Sequence, residues 1–287
     1  MDKPLRFGLR VYATEYTLPV AEMARAVEER GFESLFVPEH THMPLVRRSA
    51  YPGGGDPRRE YSHLHDPFIA LSFAAAATTR LRVGTGICLV VERDPIVLAK
   101  VVATLDRLSN GRVLLGVGGG WNAEEMADHG TAFADRWKVL RERIAAMQEI
   151  WTEDEPEFHG SYVRFDRCWS YPKPLQRPHP PVLMGGMGGA ARQRAVDLGC
   201  GWMPIDGRED IVEGINDLRR RAAAAGKPEP TVTVWAAKPD AERIARYRAA
   251  GVERVVLTIE PLQDRGDVER ALDAHAQLIR LVGGGAA

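Results

Sequence analysis

The chain repeats one beat: a short apolar run, a polar or glycine-bearing connection, then a longer stretch with apolar residues at helical spacing. Leu5–Val11 is the first run. PVAEMARAVEERG follows it, with Pro19 opening a helix, Val20, Met23, Ala24 and Val27 on one face, and Gly31 closing it. Phe32–Val37 leads to a helix over Pro67–Thr79, and Leu81–Leu89 to one between Asp94-Pro95 and Asn110-Gly111. Arg112–Val117 precedes a helix ending near Trp151, Pro181–Met184 one that runs to Leu198, and Gly201–Ile205 one near Ile211–Ala225. Thr231–Ala236 with Pro239–Ala250, then Val252–Ile259 with Val268–Leu281, complete eight pairs in 287 residues. That count predicts a (β/α)8 TIM barrel as one domain over residues 1–287. A doubly wound sheet shares the alternation but seldom needs eight uninterrupted units.

Two long connections interrupt the beat, at about 41–66 and 152–180, and in the second FHGSYVRFD alternates like a small hairpin. The 38 basic and 39 acidic side chains are interspersed and give a formal charge of −1, so no single-sign tract invites nucleic acid or a membrane surface. A small-molecule partner is the expectation. Cys88, Cys168 and Cys200 share no metal-type spacing and suit reduced thiols, and no apolar run reaches the ~18 residues of a membrane span. The start MDKPLRFGLR lacks the apolar segment of a signal peptide, so the chain reads as cytoplasmic.

In a barrel of this kind the chemistry sits where strands end. FVPEHTHMP places Glu39 and His40 directly after the second strand, with Pro38 keeping the exit extended. His40, His42, His63 and His65 form two HxH pairs that raise zinc, but loop residues share no fixed face and no further His or Asp cluster follows the later strands. No metal is expected. VGTGICLV ends the third strand with glycines that mark a bulge or the close approach of something flat. LLGVGGGWNAEEM ends the fourth with Gly118 and Gly119, candidate cofactor-binding residues, before an acidic helix start, and it fails the dinucleotide fingerprint because Trp121 stands at the third glycine position. VLMGGMGGAARQRA ends the fifth with Gly185, Gly186, Met187 and Gly188 running straight into a helix, a pattern suited to a phosphate.

These segments, with LRVGTGICLVVERDPIVLAKVVATLDRLSNGRVLLGVGGGW, FHGSYVRFDRCWSYPKPLQRPHPPVLMGG and LGCGWMP in order, resemble the luciferase-like monooxygenase superfamily, and more closely its branch that uses the deazaflavin coenzyme F420. The resemblance implies a TIM barrel of the luciferase-like type, commonly a homodimer, whose mouth holds a flavin-like ring system with its phosphate on the Gly185–Gly188 loop. It implies a non-prolyl cis peptide at Gly86–Ile87, pressing on the ring. It also implies that His40 handles a proton beside the ring, as the catalytic acid/base, with Glu39 orienting that histidine or the ring. Two positions depart from the pattern: Gly188 stands where many relatives have a phosphate-binding serine, and Asp94 where many have histidine.

The expected activity is therefore hydride transfer between F420 and a small organic substrate. An FMN-dependent monooxygenase would use nearly the same barrel. A non-catalytic carrier of a flavin-like cofactor is a third reading, since fold does not fix function.

Overall fold

The computed structural model describes residues 4–282, so the first three and last five residues of the expected domain lie outside the described ones. Four β-α units open the chain: β1 (Arg6–Arg10) and α1 (Val20–Glu29), β2 (Ser34–Val37) and α2 (Pro67–Ala76), β3 (Arg82–Cys88) and α3 (Pro95–Leu108), then β4 (Val113–Val117) with α4 (Ala123–Asp128) and α5 (Arg136–Thr152). A hairpin of β5 (Phe158–His159) and β6 (Arg164–Phe165) follows, pairing Phe158 with Phe165 as FHGSYVRFD suggests. The remaining units are β7 (Val182–Gly185) and α6 (Gly188–Asp197), β8 (Gly201–Met203) and α7 (Ile211–Ala224), β9 (Thr233–Ala237) and α8 (Ala241–Ala249), β10 (Arg254–Thr258) and α9 (Arg265–Val282).

Eight of these strands form one parallel sheet in the order β8-β7-β4-β3-β2-β1-β10-β9. Parallel bridges Trp202–Val232 and Ile205–Trp235 bring its two edges together, so the sheet closes into a barrel. The expected (β/α)8 architecture is the one observed. Several strands are shorter than their apolar runs, and the single helix expected before Trp151 is two, because Gly130, at φ +79°, breaks the chain between α4 and α5.

Strand alternation sorts the core. Phe7, Leu9, Leu35 and Val37 point outward under the helices, while Phe36, Leu114, Leu183, Met203, Trp235 and Val256 fill the barrel. Gly84 makes room for Phe36, since a Cβ there would stand 2.6 Å from the Phe36 ring. Beneath them Arg254 plugs the amino end, with Nε and Nη2 each 2.8 Å from the Glu33 carboxylate. Aspartates cap the helices as their Asp-Pro openings suggest: Asp66 accepts from Phe68 N–H at 2.9 Å, and Asp94 from Val97 N–H at 2.8 Å. Asp94, which departs from the resemblance, is thus the cap of α3. No helix among the described residues is long and apolar enough to cross a membrane.

Candidate active site

A cavity of about 260 Å³ opens at the carboxyl ends of the strands, lined by Arg10, Glu39, His40, Tyr61, Ile87, Trp121 and Trp235 among others. His40 reaches it because β2 ends at Val37 and Pro38 carries the chain out extended. Its Nδ1 lies 2.6 Å from Oε2 of Glu125, a residue of α4 with no solvent exposure. On the other side the indole N–H of Trp121 donates to Nε2 at 3.3 Å. An indole can only donate, so this pattern assigns the proton to Nδ1, facing the carboxylate, and makes the Nε2 lone pair the acceptor of the Trp121 N–H. The Glu125 carboxylate also accepts from Thr41 N–H at 2.9 Å, and Asn122 Oδ1 caps α4 by accepting from Glu125 N–H at 3.3 Å.

Glu39 has a different partner from the one the motif suggests. Its carboxylate accepts from Leu89 N–H at 2.6 Å and from Arg93 Nε at 2.6 Å, which ties the exit of β2 to the segment after β3. The orienting group on His40 is Glu125. Behind the pair lies Glu92, whose Oε2 is buried without a hydrogen-bond partner. Burial, with the charges of Glu125 and Glu39, pushes its carboxyl up to about 9. Tyr61 packs on the His40 ring at 4.7 Å between centroids, and burial beside Tyr12 and Tyr51 pushes its phenol well above the ordinary range.

Two of the other three histidines of the HxH pairs turn away: His42 pairs with Asp128 at 2.9 Å and His63 with Glu15 at 2.5 Å, both on the outside. Among the described residues no group of three or more His, Cys, Asp or Glu side chains is arranged to hold a metal ion.

The Gly86–Ile87 peptide is cis, at the register shift between Thr85 and Cys88. Gly86 faces the Trp235 ring, and a Cβ on it would lie 2.0 Å from that ring. Gly118 and Gly119 are packed by protein: a Cβ on the first would lie 2.5 Å from Ile87, and on the second 2.8 Å from Trp137. Gly185 likewise lies under Ile87. Gly186, at φ +125°, accepts from Trp202 Nε1 at 3.0 Å, while Met187 takes Ile205 N–H on its sulfur and precedes α6. Gly188, at φ +73°, has open space where a side chain would stand.

The loop is suited to a phosphate for a reason that sequence reasoning missed. Arg194, in the last turn of α6, stacks on Trp137 at 3.8 Å, and Arg136 lies over the same indole at 5.2 Å. Each has a buried Nε with no partner. A guanidinium nitrogen of Arg194 comes within 3.9 Å of the space above Gly186. Burial, with Arg141 and Arg136 nearby, pulls the Arg194 guanidinium below its ordinary range, and burial does the same to Arg136. A cation without an ion pair beside a glycine loop, Arg194, backed across the Trp137 indole by Arg136, fits an anionic group. A groove of about 740 Å³ runs from there past Trp137 and Arg141. Glu209 competes for part of this site, accepting from Gly188 N–H at 3.1 Å while it pairs with Arg192.

A closed parallel barrel with a histidine–carboxylate pair at its mouth and a glycine loop at the end of β7 is a frame suited to a bound cofactor. The chain belongs to the luciferase-like monooxygenase family, whose sequence pattern matches residues 6–254. An uncharacterised protein of Mycobacterium tuberculosis is 39% identical over 257 residues, which cover 88% of this chain and 91% of that one. The FMNH2-dependent dimethylsulfone monooxygenase of Pseudomonas putida is 37% identical over 156 residues, 53% of this chain and 42% of its own. An F420-dependent secondary alcohol dehydrogenase, solved with an F420-acetone adduct, shares the fold at a TM-score of 0.77 and 20% identity, over 98% of this chain and 99% of that one.

Proposed function

We propose that this chain is an oxidoreductase that transfers a hydride between coenzyme F420 and a small organic substrate. The observation that carries the reading is the His40–Glu125 pair at the cavity wall, in which Nε2 is left unprotonated as the acceptor of the Trp121 N–H. Bound at the mouth, F420 would supply a ring carbon that gives or takes the hydride. The protein must then match each hydride with a proton. His40 accepts that proton at Nε2 from a substrate hydroxyl, and the buried Glu125 carboxylate stabilises the imidazolium that results. Trp121 holds Nε2 through a 3.3 Å bond, long enough for a substrate hydroxyl to take its place. Arg194, Arg136 and the Gly185–Gly188 loop would hold the cofactor phosphate, and Ile87 at the bulge would support the ring.

The second reading is FMN with oxygen as co-substrate, which the Pseudomonas putida relative supports. It gives the His40–Glu125 pair less to do, because oxygen activation takes place on the flavin. Titration of the purified protein with oxidised F420 and with FMN, followed by cofactor absorbance and protein fluorescence, separates the two. Micromolar affinity with preference for F420 is the expected result. Preference for FMN with oxygen consumption would move the chain to the monooxygenase reading, and binding of neither would overturn both.

A further inference from the structure

We infer that the substrate carries an anionic group, a carboxylate or phosphate, which Arg10 binds while His40 exchanges the proton. The inference rests on the hydride-transfer reading above and names the class of substrate for that site.

Arg10 is the last residue of β1. Phe7 and Leu9 of that strand pack outward in the core, so Arg10 faces the inside of the barrel and lines the same cavity as His40. Its guanidinium lies over the rings of Tyr12 at 5.2 Å and Trp235 at 5.6 Å, which fixes its plane. Its Nε is buried and has no hydrogen-bond partner. The neighbouring arginines are all engaged: Arg93 with Glu39 and Asp66, Arg58 with Glu260, and Arg208 with the Pro52 carbonyl.

The acids of the cavity are engaged as well. Glu39 is 4% exposed and taken up by Arg93 and Leu89 N–H, and Glu125 serves His40. A cation half withdrawn from water without a partner is costly, and a bound anion offsets that cost. A planar guanidinium suits a carboxylate or phosphate better than a neutral alcohol, because two N–H groups meet two oxygens. The cavity of about 260 Å³, which reaches Ile87 and so must also admit the cofactor ring, limits the molecule to a small one, such as a hydroxy acid or a hydroxyalkyl phosphate. In the oxidising direction F420, when bound, would supply the hydride acceptor for the C–H electron pair, while the O–H proton goes to His40 Nε2 and the carbon–oxygen bond becomes a carbonyl.

Turnover with oxidised F420 is compared for neutral alcohols and anionic counterparts of the same size, in the wild type, Arg10→Gln and Arg10→Lys. We expect kcat/KM about 100-fold higher for the anionic member, lost mainly through KM in Arg10→Gln and partly recovered in Arg10→Lys, with F420 affinity unchanged. A second arm needs no cofactor: oxalate is titrated into the cofactor-free protein, and Arg10→Gln should abolish the binding. F420 turnover that does not distinguish anionic from neutral substrates overturns the inference and leaves the activity standing. So does an Arg10→Gln defect confined to F420 affinity, or a wild type that fails to bind oxalate. Arg10-dependent oxalate binding in a protein that does not bind F420 would overturn the activity and retain the anion site.

Discussion

Glu125 Oε2 and His40 Nδ1 stand 2.6 Å apart across eighty-five residues of chain. The contact joins the exit of β2 to the first turn of α4, and it gives the strand-end histidine a fixed tautomer. The orientation of the histidine at the mouth therefore depends on α4 as much as on the strand that bears it.

Glu125→Gln keeps the shape of this contact and removes the charge that stabilises an imidazolium. Turnover should fall roughly 10- to 100-fold, with F420 affinity held within about twofold. Full turnover in the variant would show that the carboxylate only packs there, and steady-state rates beside a binding titration give the answer.

Glu92 contributes a pH dependence of stability. Unfolded, its carboxyl titrates near the ordinary 4.5, and folded it keeps its proton to about 9. Between those values the folded chain binds more protons than the unfolded one, so this group's contribution to stability declines as pH rises through the window. Glu92→Gln removes the effect, and its melting temperature should gain on the wild type progressively from about pH 5 to pH 9. A difference that stays constant with pH would refute the assignment.

Gly86→Ala places a methyl group against the Trp235 ring, 2.0 Å from its nearest atom in the present arrangement. The ring or the bulge must move, at about 1–3 kcal/mol of stability, with weakened cofactor binding. Adding Trp235→Leu should restore part of the melting temperature. No recovery in the double variant would place the strain elsewhere in the bulge.

Arg194→Gln tests the anion loop. Affinity for F420 should fall about tenfold or more, while affinity for the phosphate-free deazaflavin chromophore stays unchanged. Equal losses for the two would mean that Arg194 supports the groove wall alone, and parallel fluorescence titrations distinguish these results.

Much of this was legible in the chain because strand and helix periodicities are local. The eight-fold beat, the Asp-Pro helix starts and the FHGSYVRFD hairpin all come from short-range pattern. The partner of His40 is not local. WNAEEM shows two adjacent glutamates, and in a helix of six residues periodicity does not tell which one faces inward; Glu125 is buried while Glu124 takes Arg48 N–H outside. Arg10 could have been read from strand parity, since Phe7 and Leu9 face outward. Gly118 and Gly119 look like a ligand cradle in sequence, yet Ile87 and Trp137 fill the space above them, and only the packed structure reveals those neighbours.

The central claim is that His40 exchanges the proton that accompanies hydride transfer. Its most direct test is single-turnover reduction of bound F420, followed by the loss of its visible absorbance, in the wild type and in His40→Ala with matched cofactor occupancy. The account predicts a slowing of about 10²- to 10⁴-fold in the variant with little change in cofactor affinity. Reduction at the wild-type rate in His40→Ala would contradict it.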